Sequence, residues 1–499
     1  MPFYSIFRSD WIGFIVYFFL IISMVGISNI LFKRLKIQPE VTRYFVHIGV
    51  GILVVTCPFT IRSPLIPAIL ASIFIVLNSI NIIMNRWKGI HGIERFSLGT
   101  VFFPLSFLIL ILLYWDRAYI LITGMLIMTL SDPLASIIGN RFMSKRFKPW
   151  KDEKSVLGSF IVFISSFFIT VIVLFLAGKY IDSFDGNIIR IILISIYVAV
   201  ISMVLEAASW SGSDNITLPL FSALMLDICI GANWNKLILI GGWLLFSFFL
   251  AFASLKLHSL DLGGSFGAMI IGSIVFSIGG LPWVVPMVVF YILSSILSKI
   301  GKSKKKIIRE VVEKDDIRDV YQVLANGIVA FICALLYWYT GDDIFFIFFL
   351  GSIAAATADT WGTEIGVLSK AKPVNIIRFY PVEAGSSGGI TVLGTFGAFL
   401  GASALSISGL LSTIEKSRIF IPIIIGGFLG ALTDSILGAT IQAQYRCPSC
   451  GKLTEKRKHC NGAVTKIESG LSFVNNDFVN LICTFSGGVY SVILYKLFN

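Results

Sequence analysis

The chain has 499 residues, of which 56% are hydrophobic and only 14% charged, and its mean hydropathy of +0.88 excludes an ordinary soluble domain. Its 40 Lys and Arg against 28 Asp and Glu leave a net charge of +12, which the basic cytoplasmic loops of a membrane protein explain without any nucleic-acid partner. The apolar runs are about twenty residues long, enough to cross ~30 Å of hydrocarbon, so the expected fold is all-α, a polytopic transmembrane helical bundle.

Met1 to Asp10 precedes a run from Trp11 to Phe32 that is too long for a signal-peptide core, lacks a small-residue cleavage site and ends in Lys33, Arg34 and Lys36. It reads as the first span. Hydropathy then places about sixteen spans, starting near residues 11, 44, 63, 98, 118, 156, 186, 216, 236, 265, 282, 320, 343, 388, 419 and 478. Several are short enough to be half-helices, and those near 44 and 216 are the short ones. Basic loops at 33–36, 86–88, 141–154, 299–309, 370–378 and 446–458 all fall on one side of this arrangement, which the positive-inside rule makes the cytoplasm.

Two stretches about 230 residues apart repeat each other. SDPLASIIG from Ser131 is followed by VLGSF from Val156, and ADTWGTEIG from Ala358 by VLGTF from Val392. In each, an Asp (Asp132, Asp359) shares a helix face with a small residue three positions on and a Gly seven on (Gly139, Gly366). Asp132 ends the fifth span, Glu206 the seventh, and Asp214-Asn215 precede the eighth. Asp359 ends the thirteenth, Asp434 the fifteenth, and Asn476-Asp477 precede the sixteenth. The even offset predicts two parallel-related eight-span halves, residues 1–235 and 236–499, with both polar clusters facing the cytoplasm. Small residues at these spacings also serve close helix packing in lipid, so Gly139, Gly158, Gly366 and Gly394 read equally as packing positions. An acid at a membrane helix end is costly without a partner, and that favours function for Asp132, Asp359 and Asp434.

The first half resembles the polyprenol kinase group, which includes dolichol kinase and phytol kinase and is related to phosphatidate cytidylyltransferase. The matching pieces are Arg43-x3-His47 with Gly49, Arg95 with GTVFFPL from Gly99, SDPLASIIGNRF, Lys154-x3-Gly158-Ser159, and Glu206 with Asp214-Asn215 and Pro219. The second half is similar to the family that includes phytyl-phosphate kinase, through GGLPWVVP, Ser294-Ser295, YQVLANG from Tyr321, ADTWGTEIG, GSSGGITVLGTFGA, TDSILGATIQAQYRCPSCG and NNDFVN from Asn475. The resemblance implies a bifunctional membrane enzyme. Its first half would phosphorylate an isoprenoid alcohol such as phytol or geranylgeraniol, its second half the resulting monophosphate, with CTP as donor. In the second half the motifs make Asp359, Asp434 and Asp477 candidate catalytic acids. Glu364, Gly388, Gly389, Gly394, Thr395, Asn476 and Asn480 are candidate nucleotide or phosphate contacts.

Phosphoryl transfer requires phosphate charge to be neutralised and the attacking oxygen held in line. No GxxxxGK loop occurs, so phosphate binding must be built otherwise. Asp132 and Asp214 are candidate Mg²⁺ ligands, as are Asp359 and Asp434 in the second half. Lys154 would meet the phosphates as a point charge, with Gly158 and Ser159 offering amides at a helix start. His47 is either a general base or a hydrogen-bonded interfacial histidine beside Arg43, and Arg95 is read with the same two alternatives. Glu206 either ligates the metal or orients Asp214. Ile390 stands where the second half would match Lys154, so that half would rely on backbone amides, with Lys370, Lys372 or Arg378 adding charge or merely forming a solvated loop.

Of seven cysteines, Cys57, Cys229, Cys333 and Cys483 lie in apolar runs. In the loop 446–462, Cys447 and Cys450 with His459 and Cys460 form a candidate structural zinc set, a disulfide being the alternative. The rival classes are a transporter, whose polar groups belong near the midplane, a cytidylyltransferase acting on a lipid phosphate, and a purely structural membrane protein.

Overall fold

The computed structural model describes residue 7 and residues 9–84, 98–181, 184, 186–300, 317–410, 418–460 and 462–498. Its helices sort their side chains opposite to those of a water-soluble bundle. On Val156–Ala177, the buried stripe is Val162, Ser166, Thr170 and Val173, while Phe168, Ile172 and Phe175 on the other face are more than half exposed. Small and hydroxylated side chains inside with large apolar ones outside is the arrangement lipid favours, since the packing face then admits close approach and the hydroxyls bond within the protein. The chain is a multi-pass membrane protein, and 14 of its described helices are long and apolar enough to cross a bilayer.

Two compact units divide the chain, Met1–Gly241 and Gly242–Asn499. The first contains α1 (Asp10–Leu35), α2 (Pro39–Thr60), α3 (Leu65–Met84) and α4 (Gly99–Tyr114). It continues with one span made of α5 (Ala118–Leu126), a π-helical turn (Ile127–Ser131) and α6 (Asp132–Arg141), then α7 (Val156–Ala177), α8 (Ile188–Ala208) and α9 (Asp214–Ile230). The division falls inside α10 (Trp234–Lys256). The second unit goes on with α11 (Leu262–Gly279), α12 (Leu281–Lys299), α13 (Val320–Thr340), α14 (Ile344–Gly366), α15 (Val392–Leu410), α16 (Phe420–Thr440) and α17 (Asn476–Phe498). A helix starts close to each of the sixteen expected positions. The run near 44 is no half-helix, however, because Pro39 opens α2 early and gives it 22 residues. The short spans are α4, with 16 residues, and α9, with 17.

Each unit carries a feature too small for hydropathy to reveal. The strand Arg146–Phe147 pairs antiparallel with Lys154–Ser155 immediately before α7, and Val374–Asn375 pairs with Gly389–Ile390 immediately before α15. A hydroxyl then caps each helix: the Ser155 Oγ accepts from Gly158 N at 3.0 Å, and the Thr391 Oγ1 from Gly394 N at 3.0 Å. These turns fix where each VLG helix enters the bundle. The acid-bearing helices cross those entries at glycine. A Cβ on Gly394 would stand 2.8 Å from the Gly362 carbonyl oxygen and 3.1 Å from Gly366 Cα, so no other residue permits that approach.

Candidate active sites

In the first unit the polar groups gather around Lys154. Its position on the short strand and the Ser155 cap bring Nζ to the end of α8, where it donates to Glu206 Oε1 at 2.9 Å and to Ser209 Oγ at 2.7 Å and lies 3.8 Å from Asp214 Oδ2. Glu206 Oε2 accepts from the Ser159 hydroxyl at 2.8 Å. Asp214 Oδ1 accepts from the backbone and side-chain nitrogens of Asn215, at 3.0 and 2.9 Å. Burial alone would pull the Lys154 ammonium below the ordinary lysine value, but Glu206 and Asp214 outweigh it, and the net shift is upward.

Asp132 follows directly on the π-helical turn, and π turns inside membrane helices re-aim the side chains beyond them. The charged groups in its electrostatic reach are Asp214, Lys154, Arg43 and Glu206. His47 lies within reach of Asp214 and Arg43, and its Nε2 is 3.1 Å from the Met128 carbonyl oxygen. A carbonyl oxygen only accepts, so Nε2 carries the hydrogen and Nδ1 is the basic nitrogen. The structure thus brings together Arg43, His47, Asp132, Lys154, Ser159, Glu206, Asp214 and Asn215 from five helices and a strand. Arg95 lies outside the described residues.

Gly139 and Gly158 lie where two helices cross. A Cβ on Gly139 would meet Ser155 Oγ at 2.3 Å and Gly158 Cα at 3.3 Å, so both glycines serve the α6–α7 crossing. The Gly158 amide is already taken by Ser155. Sequence reading also missed Ser209, the Trp150–Trp210 ring contact at 3.8 Å between centroids, and Asp152, whose Oδ2 accepts from Ser211 N at 2.9 Å. The signal was there in SWSGSD, the polar run that joins Glu206 to Asp214.

In the second unit Asp359 on α14 and Asp434 on α16 are within electrostatic reach of each other, with Glu455 as the third acid near Asp434. Asp434 Oδ2 is shielded from solvent and, among the described residues, meets no hydrogen-bond donor. A buried carboxylate oxygen in that position fits a cation. Glu455 Oε1 accepts from Ser387 Oγ at 2.7 Å and from Gln442 Nε2 at 2.9 Å, tying the Gly-rich run to the end of α16. Sequence reading missed Glu455 because its place depends on the loop that carries it.

Two of the backbone amides expected to cradle phosphate here are engaged: Gly389 N donates to Ser386 O at 3.0 Å and Gly394 N to Thr391. Gly388, at φ +76°, lets the run lie against α16, since a Cβ there would reach Ala439 N at 2.5 Å. Several cationic side chains lie nearby. Arg318, just ahead of α13, has Glu364 within electrostatic reach and went unnoticed in the sequence. Lys372 with Thr391 and Thr395 lines one groove of about 580 Å³ together with Phe396, Phe399 and Phe428. Lys370 and Arg378 are exposed. Asn476 joins Gln442, Glu455, Arg457 and Asn475 around a smaller cavity of about 130 Å³, and Asp477 and Asn480 follow on the first turns of α17, half-buried.

The ligand atoms of Cys447, Cys450, His459 and Cys460 all lie within 4.8 Å of one another. The Cys447 thiol is held at about 6: burial, which raises it, is outweighed by the backbone amides of Cys450 and Ser449 and by His459.

Integral membrane protein family DUF92 matches residues 245–488. An uncharacterised membrane protein of Methanocaldococcus jannaschii is 32% identical over 240 residues, which cover 48% of this chain and 87% of that protein. The phytol kinase of Synechocystis is 31% identical over 210 residues, 41% of this chain and 86% of its own length. The chloroplastic farnesol kinase of Arabidopsis thaliana is 27% identical over 230 residues, 43% of this chain and 74% of its own. No solved structure matches the chain significantly.

Proposed function

We propose, for a chain that belongs to the integral membrane protein family DUF92 and is similar to phytol and farnesol kinases, that it phosphorylates an isoprenoid alcohol twice, once in each unit. The observation that carries this reading is the convergence of Lys154 with Asp132, Glu206 and Asp214, and the recurrence of the same order of acids, cap and glycine crossing in the second unit. CTP is the expected donor, and the positive-inside pattern of the loops supports a cytoplasmic face for both sites, where a water-soluble nucleotide meets a lipid acceptor.

In the first unit the alcohol oxygen attacks the γ-phosphorus, the bond from that phosphorus to the β-phosphate oxygen breaks, and CDP leaves. The hydroxyl proton passes to His47 Nδ1, the ring nitrogen left basic by the Met128 contact. Lys154 and Arg43 offset phosphate charge, and Ser159 and Ser209 hold the carboxylate and ammonium in place. Asp132, Glu206 and Asp214 would hold Mg²⁺, as would Asp359 and Asp434. When bound, the ion neutralises the nucleotide's phosphates.

The second unit has no histidine on α11, the helix that matches α2 in order. Its acceptor explains the difference: a monophosphate oxygen is already ionised and needs no base, but brings extra charge, for which Arg318 and Lys372 are suited. The apolar side of the Lys372 groove suits the prenyl chain. Purified protein given CTP, Mg²⁺ and geranylgeraniol or phytol should release CDP and form the monophosphate, then the diphosphate. Inactivity on both alcohol and monophosphate with every nucleotide would overturn the reading. Release of inorganic diphosphate instead of CDP would replace it with cytidylyl transfer.

A further inference from the structure

We propose that Cys447, Cys450, His459 and Cys460 hold a structural zinc ion that fixes Glu455 against the Ser387 loop. Two turns build the site. In the first, Cys447-Pro-Ser-Cys450-Gly451, Gly451 takes φ +72°, its N–H donates to the Cys447 carbonyl oxygen at 2.9 Å, and the Cys447 N–H donates to Lys452 O at 3.0 Å. The turn is closed by backbone bonds that leave both thiols available. It joins the strands Gln444–Arg446 and Leu453–Thr454, which pair antiparallel.

The second turn follows the strand Lys458–His459, which pairs with Ala463–Val464. Cys460 adopts φ +40°, a left-handed conformation that costs a non-glycine residue about 1–3 kcal/mol unless its surroundings hold it there. His459 Nδ1 lies 3.5 Å from Cys450 Sγ and 3.2 Å from Cys460 Sγ. With all four ligand atoms within 4.8 Å, the set is close to a zinc tetrahedron, whose ~2.3 Å arms give edges of about 3.8 Å. Three thiolates and one imidazole around Zn²⁺ carry one net negative charge, and Lys452, Lys456, Arg457 and Lys458 surround it in sequence. Four protein ligands leave no open position, so the ion is structural and takes no part in catalysis.

Its consequence runs through Glu455, which stands between the two turns. Antiparallel pairing holds Leu453–Thr454, and Thr465 bonds the carbonyl oxygens of Lys456 and Arg457, so the metal would tie together two already ordered turns on either side of Glu455. Glu455 Oε1 accepts from Ser387 and Gln442 there, beside Asp434. This last step rests on the proposed second phosphorylation, whereas the metal site itself does not.

Metal analysis of the full-length protein, purified without chelator, should give about one zinc per chain, falling to about a tenth or less in Cys450→Ser. Cys460→His, which keeps four nitrogen or sulfur ligands, should retain the metal and guards against loss by misfolding. Cobalt added to chelated protein should give the visible spectrum of tetrahedral thiolate coordination. Wild-type protein free of zinc and unable to take up cobalt, or a Cys450–Cys460 disulfide in freshly isolated protein, would overturn the site. If zinc is present but Cys450→Ser leaves monophosphate phosphorylation unchanged, the coupling to Glu455 is overturned. If no variant phosphorylates anything while zinc is bound, it is the kinase reading that fails.

Discussion

Lys154 is the side chain on which the first site turns, because it is shared by buried Glu206 and half-buried Asp214, which would otherwise repel each other. Its side chain is 15% exposed and that of Glu206 8%, and removing one partner of such a pair costs about 3–5 kcal/mol. Lys154→Met should therefore lower thermal stability by that order and stop alcohol phosphorylation. A variant that melts with the wild type would refute the pairing. The sign of its pH dependence follows from the upward shift. A lysine whose folded value is raised contributes fully below the unfolded value of ~10.4 and loses that contribution only as pH climbs through the folded value. The stability gap between wild type and Lys154→Met should thus stay constant from neutral pH to about pH 10, and a gap that closes by pH 9 would contradict the upward shift. The acids, Lys154 and His47 were legible in the sequence because membrane segments tolerate so few ionisable groups. The same rule misleads at Asp227, which Arg117 and the Tyr114 hydroxyl satisfy at the far end of α9 and which needs no catalytic role. Arg318 was hidden for the opposite reason: it lies beside the basic loop, where a cation attracts no notice.

At the scale of elements, hydropathy located the helices because lipid demands about twenty apolar residues per crossing, and it was blind to whatever is shorter. The two-residue strands before α7 and α15, and the Ser155 and Thr391 caps, carry no periodicity to detect. The glycines were visible, but the sequence left packing and phosphate binding level. The structure favours packing, since the amides of Gly158, Gly389 and Gly394 already have partners. Two substitutions grade this. Gly139→Ala meets a side-chain hydroxyl at 2.3 Å, which is able to rotate, and should cost about 1 kcal/mol through the lost Ser155 cap. Gly394→Ala meets backbone on α14 at 2.8 and 3.1 Å and has no such relief, so it should separate Asp359 from the α15 entry and abolish monophosphate phosphorylation with Lys154 untouched. Near-normal second-step activity in folded Gly394→Ala would show that the α14–α15 crossing does not position the site.

At the scale of the molecule, the chain divides at Gly241, inside α10, and each unit holds its own acids, cap and helix crossing. Two complete sites predict separable activities, whereas one site shared by both units predicts joint loss. The acids recur in the same chain order in both units, but the loop bearing Glu455 has no counterpart in the first unit, and its contact with Ser387 became visible only in three dimensions. The most direct measurement follows the products formed from a labelled isoprenoid alcohol and CTP by the Asp132→Asn and Asp359→Asn proteins. Asp359→Asn should accumulate the monophosphate. Asp132→Asn should leave the alcohol untouched yet convert added monophosphate to the diphosphate at near wild-type rate. Loss of both steps in either folded variant would contradict the account and replace two sites with one.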